Sequence, residues 1–163
     1  MQKTLISSTG ADNRPEHNWL DLQQTARVEV SSEADAFPVE GALLQQRQGG
    51  WRANSSGVQT IRLLFAHAPT IQLIRLVFRE EEVARTQEFV LRWLPQGTGA
   101  WRDVVRQQWN FSPPTTVCEC EEYKVDLHEA IGLELAICPD ISGGESRASL
   151  ESLQLSASSR HSA

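Results

Sequence analysis

The sequence predicts an all-β fold, a sandwich or barrel of short antiparallel strands. Three observations point there. About eight short runs are rich in branched and aromatic residues or alternate apolar with polar. Turn-forming residues separate them. No run of helical periodicity alternates with them, as a parallel α/β fold would need.

The elements can be justified in chain order. The opening residues 1–25 are polar, carry Gly10 and Pro15, and read as a loose segment, although "HNWLDL" (His17 to Leu22) could dock on the domain. "ARVEVS" from Ala26 alternates as a half-buried strand does. "VQTIRLLF" (Val58 to Phe65) is rich in branched residues, and Ala66 to Pro69 turns the chain. "TIQLIRLVFRE" from Thr70 puts Ile74, Leu76 and Phe78 on one face and Arg75, Val77 and Arg79 on the other. "QEFVLRWL" from Gln87 opposes Phe89, Leu91 and Trp93 to Val90 and Arg92, and "PQGTG" from Pro95 reads as a hairpin loop. "AWRDVVRQQW" (Ala100 to Trp109) answers it as the partner strand, and "NFSPP" breaks the sheet because proline has no N–H for the ladder. "VCECEEYKVDL", "IGLELAIC" and "SLESLQLS" complete the set. "REEEVAR" (Arg79 to Arg85) is too short for a helix between two strands and reads as a solvated, charged loop. The division expected is 1–25 loosely structured, 26–155 the sandwich and 156–163 a flexible tail.

Composition narrows the function. A chain of 163 residues suits one domain that needs no disulfide or metal to close its core. A net charge of -6, with lysine only at Lys3 and Lys124, argues against broad nucleic-acid binding. The first residues lack the apolar core of a signal peptide, and no run approaches the ~18 apolar residues of a membrane span. With Cys118, Cys120 and Cys138 in no disulfide pattern, the reading is cytoplasmic, with buried free thiols. Cys118 and Cys120 share a strand face and could meet Cys138 on a neighbouring strand, but their spacing is poor for zinc.

No catalytic motif is present: no GxSxG, no HExxH and no P-loop accompany His17, His67, His128 and His161. Gly97-Thr98-Gly99 belongs to a hairpin and has no helix to make it a phosphate cradle. Glu119 and Glu121 project from one strand face, yet would serve acid–base chemistry only in a cleft.

The order of the pieces resembles the discoidin-like (coagulation factor 5/8 type C) domains of the galactose-binding-like β-sandwich superfamily. "GGWRANSSGVQTIRLLF" is similar to the family's Trp-bearing loop and following strand, and "TIQLIRLVF" to its next strand. "EFVLRWLPQGTGAWRDVV" resembles its strand, polar hairpin, Trp and Val signature. "IGLELAICPDISGGESRASLESLQL" resembles its closing pair. The resemblance spans Ala26 to Leu155 and implies an antiparallel jelly roll with ligand loops at one end. It further implies that Trp51 and Trp101 pack inward. Many members hold calcium before the Trp, and Glu40 and Glu151 are the matching carboxylates. Ala42 and Leu43 replace other oxygen ligands, and two carboxylates are thin for an ion that takes about six to eight oxygens. No cofactor is expected, calcium being disfavoured.

The expected function is non-enzymatic binding of a carbohydrate or polyol through loops, with Arg52, Asn54, Trp109 and Phe111 as contacts. Arg52 and Asn54 suit sugar hydroxyls or a carboxylate, or else form a solvated turn. Trp109 and Phe111, just before Pro113-Pro114, would stack on a sugar ring or insert into a partner if exposed on a loop, and otherwise cap the sandwich. The alternative is an intracellular protein–protein scaffold module, for which an apolar sheet face would be the sign, as it would for a homo-oligomer.

Overall fold

The computed structural model describes residues 18–158. Ten antiparallel strands form a five-stranded sheet, a three-stranded sheet and a two-stranded ribbon. The larger sheet has the order β1 (Ala26–Val30), β3 (Gln59–Phe65), β8 (Ala130–Cys138), β5 (Arg85–Pro95), β6 (Arg102–Phe111). The smaller runs β10 (Ser152–Ala157), β4 (Ile71–Arg79), β7 (Cys118–Leu127). β2 (Trp51–Ser56) pairs with β9 (Arg147–Leu150) at one end.

Strand alternation decides what lies between the sheets, since successive side chains point to opposite faces. The larger sheet sends Ile61, Leu63, Phe89, Leu91, Leu133 and Leu135 inward. β4 and β10 answer with Ile74, Leu76, Phe78, Leu153 and Leu155, all buried. The Phe78 and Phe89 rings stack across the sheets with centroids 5.1 Å apart. Burying side chains of this size contributes about 1.5–3 kcal/mol each, far more than the surface pairs. On the outer face of the larger sheet Arg62 bridges Glu29 and Glu134 at 2.9 and 2.7 Å. The exposed Glu29 pair contributes about 0–1 kcal/mol.

Several expectations are corrected. Trp101 does not pack inward. It covers the outer face above Gly132, where a Cβ would come within 2.9 Å of its ring, and the Arg62 guanidinium lies 5.6 Å from the ring centre. The cysteines are free, but none is buried as expected: Cys120 is exposed, and Cys118 and Cys138 are half-buried. Cys118 and Cys120 sit on β7 of the smaller sheet and Cys138 on β8 of the larger, so they are not on neighbouring strands. Part of the segment read as loose is docked. Residues Leu22–Thr25 form a single turn, α1, capped by the Asp21 carboxylate on the Gln23 N–H. Just before it the Leu20 N–H donates to Leu155 O at 2.8 Å, beside a bridge between Trp19 and Ser156.

Candidate functional site

The candidate site is built by close backbone approach. A second single turn, α2 (Glu40–Leu43), buries Gly41, Ala42 and Leu43. A Cβ on Gly41 would lie 2.6 Å from Gly50 O, and one on Gly50 would lie 2.8 Å from Leu150 O. Three stretches of backbone therefore stack with no room for side chains between them. Gly49 and Gly50 both have positive φ, 101° and 74°, which glycine adopts at little cost. The turn they make delivers Trp51 into the core, where it is 1% exposed and donates Nε1–H to Ser32 O at 2.9 Å. Trp51 is a plug, as the resemblance implies.

Around this stack runs a two-lobed groove. The small lobe, about 230 Å³, lies between Phe37, Arg52 and the Arg79–Glu82 stretch. The large lobe, about 670 Å³, is walled by Trp19, Arg47, Arg75 and Gln154. Gly49 and Glu151 line both. Arg52 alternates with buried Trp51 and Ala53, so it projects to solvent, with its guanidinium 5.3 Å from the Phe37 ring centre. Arg79 donates Nε–H to Glu151 at 3.1 Å, and that bond holds the guanidinium firmly charged. In the large lobe Arg75 donates Nη1–H to Gln154 at 3.2 Å, while its buried Nε finds no hydrogen-bond acceptor and lies 3.5 Å from Glu122 Oε2. Half-buried Trp19 sits against β10 through its bridge to Ser156. An aromatic face beside guanidinium and amide groups can hold a hydroxylated ring by stacking and hydrogen bonds.

The expected contacts divide. Arg52 lines the small lobe; Asn54 is exposed on the same face of β2 but lines neither lobe. Trp109 and Phe111 are not on a loop, because β6 continues through Phe111 before the prolines end it. Phe111 is 1% exposed and carries the Arg85 guanidinium 4.9 Å above its ring, and Trp109 is half-buried against the core. The exposed stacking pair is therefore lost, because strand parity points both rings inward. Glu40 and Glu151 line different clefts: Glu40 borders the one beside α1 and β1, and Glu151 is paired with Arg79 in the groove. Among the described residues no three His, Cys, Asp or Glu side chains gather as a metal cage.

Sequence reasoning missed a polar cluster between β5, β6 and β7. Arg85, read as part of a solvated loop, has a buried side chain and donates to Glu80 Oε1 and Pro139 O, each at 2.8 Å, and to Gln87 Oε1 at 3.3 Å. Gln87 in turn donates to Glu119 Oε1 at 3.2 Å, and both residues are fully buried. Burial, together with the neighbouring Glu121 carboxyl, pushes Glu119 up to about 8. Burial pushes Glu80 up as well, but Arg85 and the N–H groups of Glu82 and Val83 outweigh it and hold that carboxyl below its ordinary value. The signal was parity: Arg85 and Gln87 share the face of Phe89 and Leu91, and Glu119 that of Leu127.

No protein-family model matches the sequence, and no curated relative does either. Solved structures do match the fold. A family 32 carbohydrate-binding module of NanJ from Clostridium perfringens, in complex with galactose, aligns with a TM-score of 0.64 at 12% identity, over 86% of this chain and 98% of that one. The chain shares the jelly-roll β-sandwich fold of these modules. A second Clostridium perfringens module of that family, in complex with GalNAc-beta-1,3-galactose, aligns with a TM-score of 0.63 at 16% identity, over 86% and 100% of the two chains. The family 32 module of AlyQ, in complex with 4,5-unsaturated mannuronic acid, aligns at 0.56 and 17%, over 85% and 98%.

Proposed function

We propose that this chain is a non-enzymatic carbohydrate-binding module that takes a sugar in the groove around Gly41 to Trp51. One observation carries the reading: the larger lobe of the groove places an aromatic side chain, Trp19, beside Arg47, Arg75 and Gln154. A pyranose ring is recognised by this kind of lining, an aromatic side chain together with polar groups that bind its hydroxyls. The shared fold supports it, since the similar modules are described with galactose, a GalNAc disaccharide and an unsaturated mannuronic acid. The protein-docking alternative gains little, because the large exposed apolar residues, Val58, Val83 and Ile141, lie in three different loops and none on a sheet face.

The test is calorimetric titration with galactose, N-acetylgalactosamine and galacturonic acid, run on the wild type and on Trp19→Ala. Binding by one of them, weakened at least tenfold in Trp19→Ala and several-fold in Arg75→Ala, is the expected result. No heat at millimolar sugar, or binding unchanged in both variants, overturns the assignment.

A further inference from the structure

The two lobes of the groove carry opposite charge. Arg47 and Arg75 line the large lobe, and among the described residues that line it Glu151 is the sole acid. Glu151 is already paired with Arg79 at 3.1 Å, and Arg75 has Glu122 on the next strand at 3.5 Å. Arg47 has no side-chain hydrogen bond or ion pair among the described residues. Each acid at this lobe therefore has its own guanidinium, and that of Arg47 is left over. The small lobe is the reverse. Arg52 and Arg79 meet Glu80, Glu81, Glu82 and Glu151 there. Even with buried Arg85 set against Glu80, the carboxylates outnumber the guanidiniums by one.

Local structure puts these groups in place. Arg75 reaches the large lobe because β4 alternates: Ile74 and Leu76 point into the core, so Arg75 and Val77 face the lobe. Gln154 is the cross-strand partner of Arg75 on β10, and its amide oxygen accepts the Arg75 Nη1–H at 3.2 Å. That leaves the Gln154 NH2 as a donor. Arg47 stands between α2 and β2 on a backbone held by a turn, its N–H donating to Leu44 O at 3.0 Å. The lobe thus offers mainly donors, since a guanidinium has no acceptor. A sugar hydroxyl both donates and accepts, whereas a carboxylate or a sulfate ester only accepts at its oxygens. Hydrogen bonds to such an ionised acceptor are roughly twice as strong as neutral ones.

We propose that the large lobe selects sugars that carry one anionic group, a carboxylate or a sulfate ester, bound by Arg47 and Arg75 beside Trp19. The proposal rests on the groove being the sugar site, and it adds which sugars that site prefers. The anion balances the charge that Arg47 leaves over. The small lobe repels it, so the ligand's orientation along the groove is fixed by the same contrast.

The test is calorimetric titration of the full chain with methyl galactoside, methyl galacturonoside, methyl galactoside 6-sulfate and sodium acetate. It is run at about 20 mM and about 300 mM sodium chloride, where screening is weak and strong. At low salt one of the two anionic sugars should bind at least about fivefold tighter than the neutral one, the effect of one charge pair near a surface. The galacturonoside and the sulfate arms tell the two anions apart. The ratio should shrink at high salt and fall to about one in Arg47→Gln, because Glu122 already balances Arg75. Equal affinity for charged and neutral sugars, or a ratio unchanged in Arg47→Gln, overturns the proposal and leaves the sugar reading standing. Acetate that binds as tightly as the anionic sugars reveals an anion site alone and also overturns it. No binding by any of the sugars removes the sugar reading, and the proposal with it.

Discussion

The groove wall and the polar cluster between β5, β6 and β7, a seam between the two sheets, solve opposite packing problems. At the wall, Gly41, Gly50 and Leu150 bring backbone against backbone, and a missing Cβ makes the structure possible. At the seam, long polar side chains fill the space between the sheets, and their hydrogen bonds make it tolerable. The wall is intolerant of added atoms; the seam is intolerant of removed partners. Rigidity at the wall suits a surface that presents Arg52 and the large lobe.

The sharpest way to break this contrast is to remove a partner at the seam. Arg85→Ala strands Glu80 and Gln87 without their cation, and breaking such a buried pair costs about 3–5 kcal/mol. A urea midpoint within error of the wild type would show that the seam carries no such penalty. Gly50→Ala tests the wall. Its Cβ meets Leu150 O and its φ is 74°, so the loss should be about 1–3 kcal/mol. Gly49→Ala at φ 101° has nothing within 4 Å and should lose less, so thermal melts that rank the two alike would refute the close-approach account. The seam also has a pH signature. The folded pKa of Glu119 is raised, so the folded state holds a proton that the unfolded chain releases. Stability from this group is complete below about 4.5 and declines as pH rises, levelling above about 8. Urea unfolding of Glu119→Gln should lack that component across the same range. The smallest effect is at the rim: Arg52→Ala removes only an exposed cation–π contact, so it should shift stability by about 0.5–1 kcal/mol or less. A larger loss in the urea midpoint would mean that Arg52 holds the wall together.

Much of the fold was legible because alternation is local. The faces of β4 follow from Ile74, Leu76 and Phe78 against Arg75 and Arg79, and the hairpin at Pro95 to Gly99 follows from its glycines. The inward Trp51 was legible through the resemblance, and the paired glycines before it supply the turn that achieves it. Of the site, Arg52 was found beforehand as a contact, and Glu151 only as a calcium carboxylate, not as the partner of Arg79. Trp19 lay in a stretch with no periodicity, and its place on the groove comes from a bridge to Ser156 at the far end of the chain. Trp109 and Phe111 were misplaced because the prolines suggested an earlier break, whereas the ladder runs on to Arg85↔Phe111.

By itself the sequence determined the all-β class, the inward faces of the main strands and the glycine turn that carries Trp51 into the core. These depend on residues close in the chain, where backbone geometry and hydrophobic spacing act directly. Tertiary structure alone decided that Trp101 lies outside, that Trp19 walls a groove with Arg75, and that Arg85, Gln87 and Glu119 meet in the interior. Each of these depends on which strands become neighbours, and that is settled by how two whole sheets bury their apolar faces against each other.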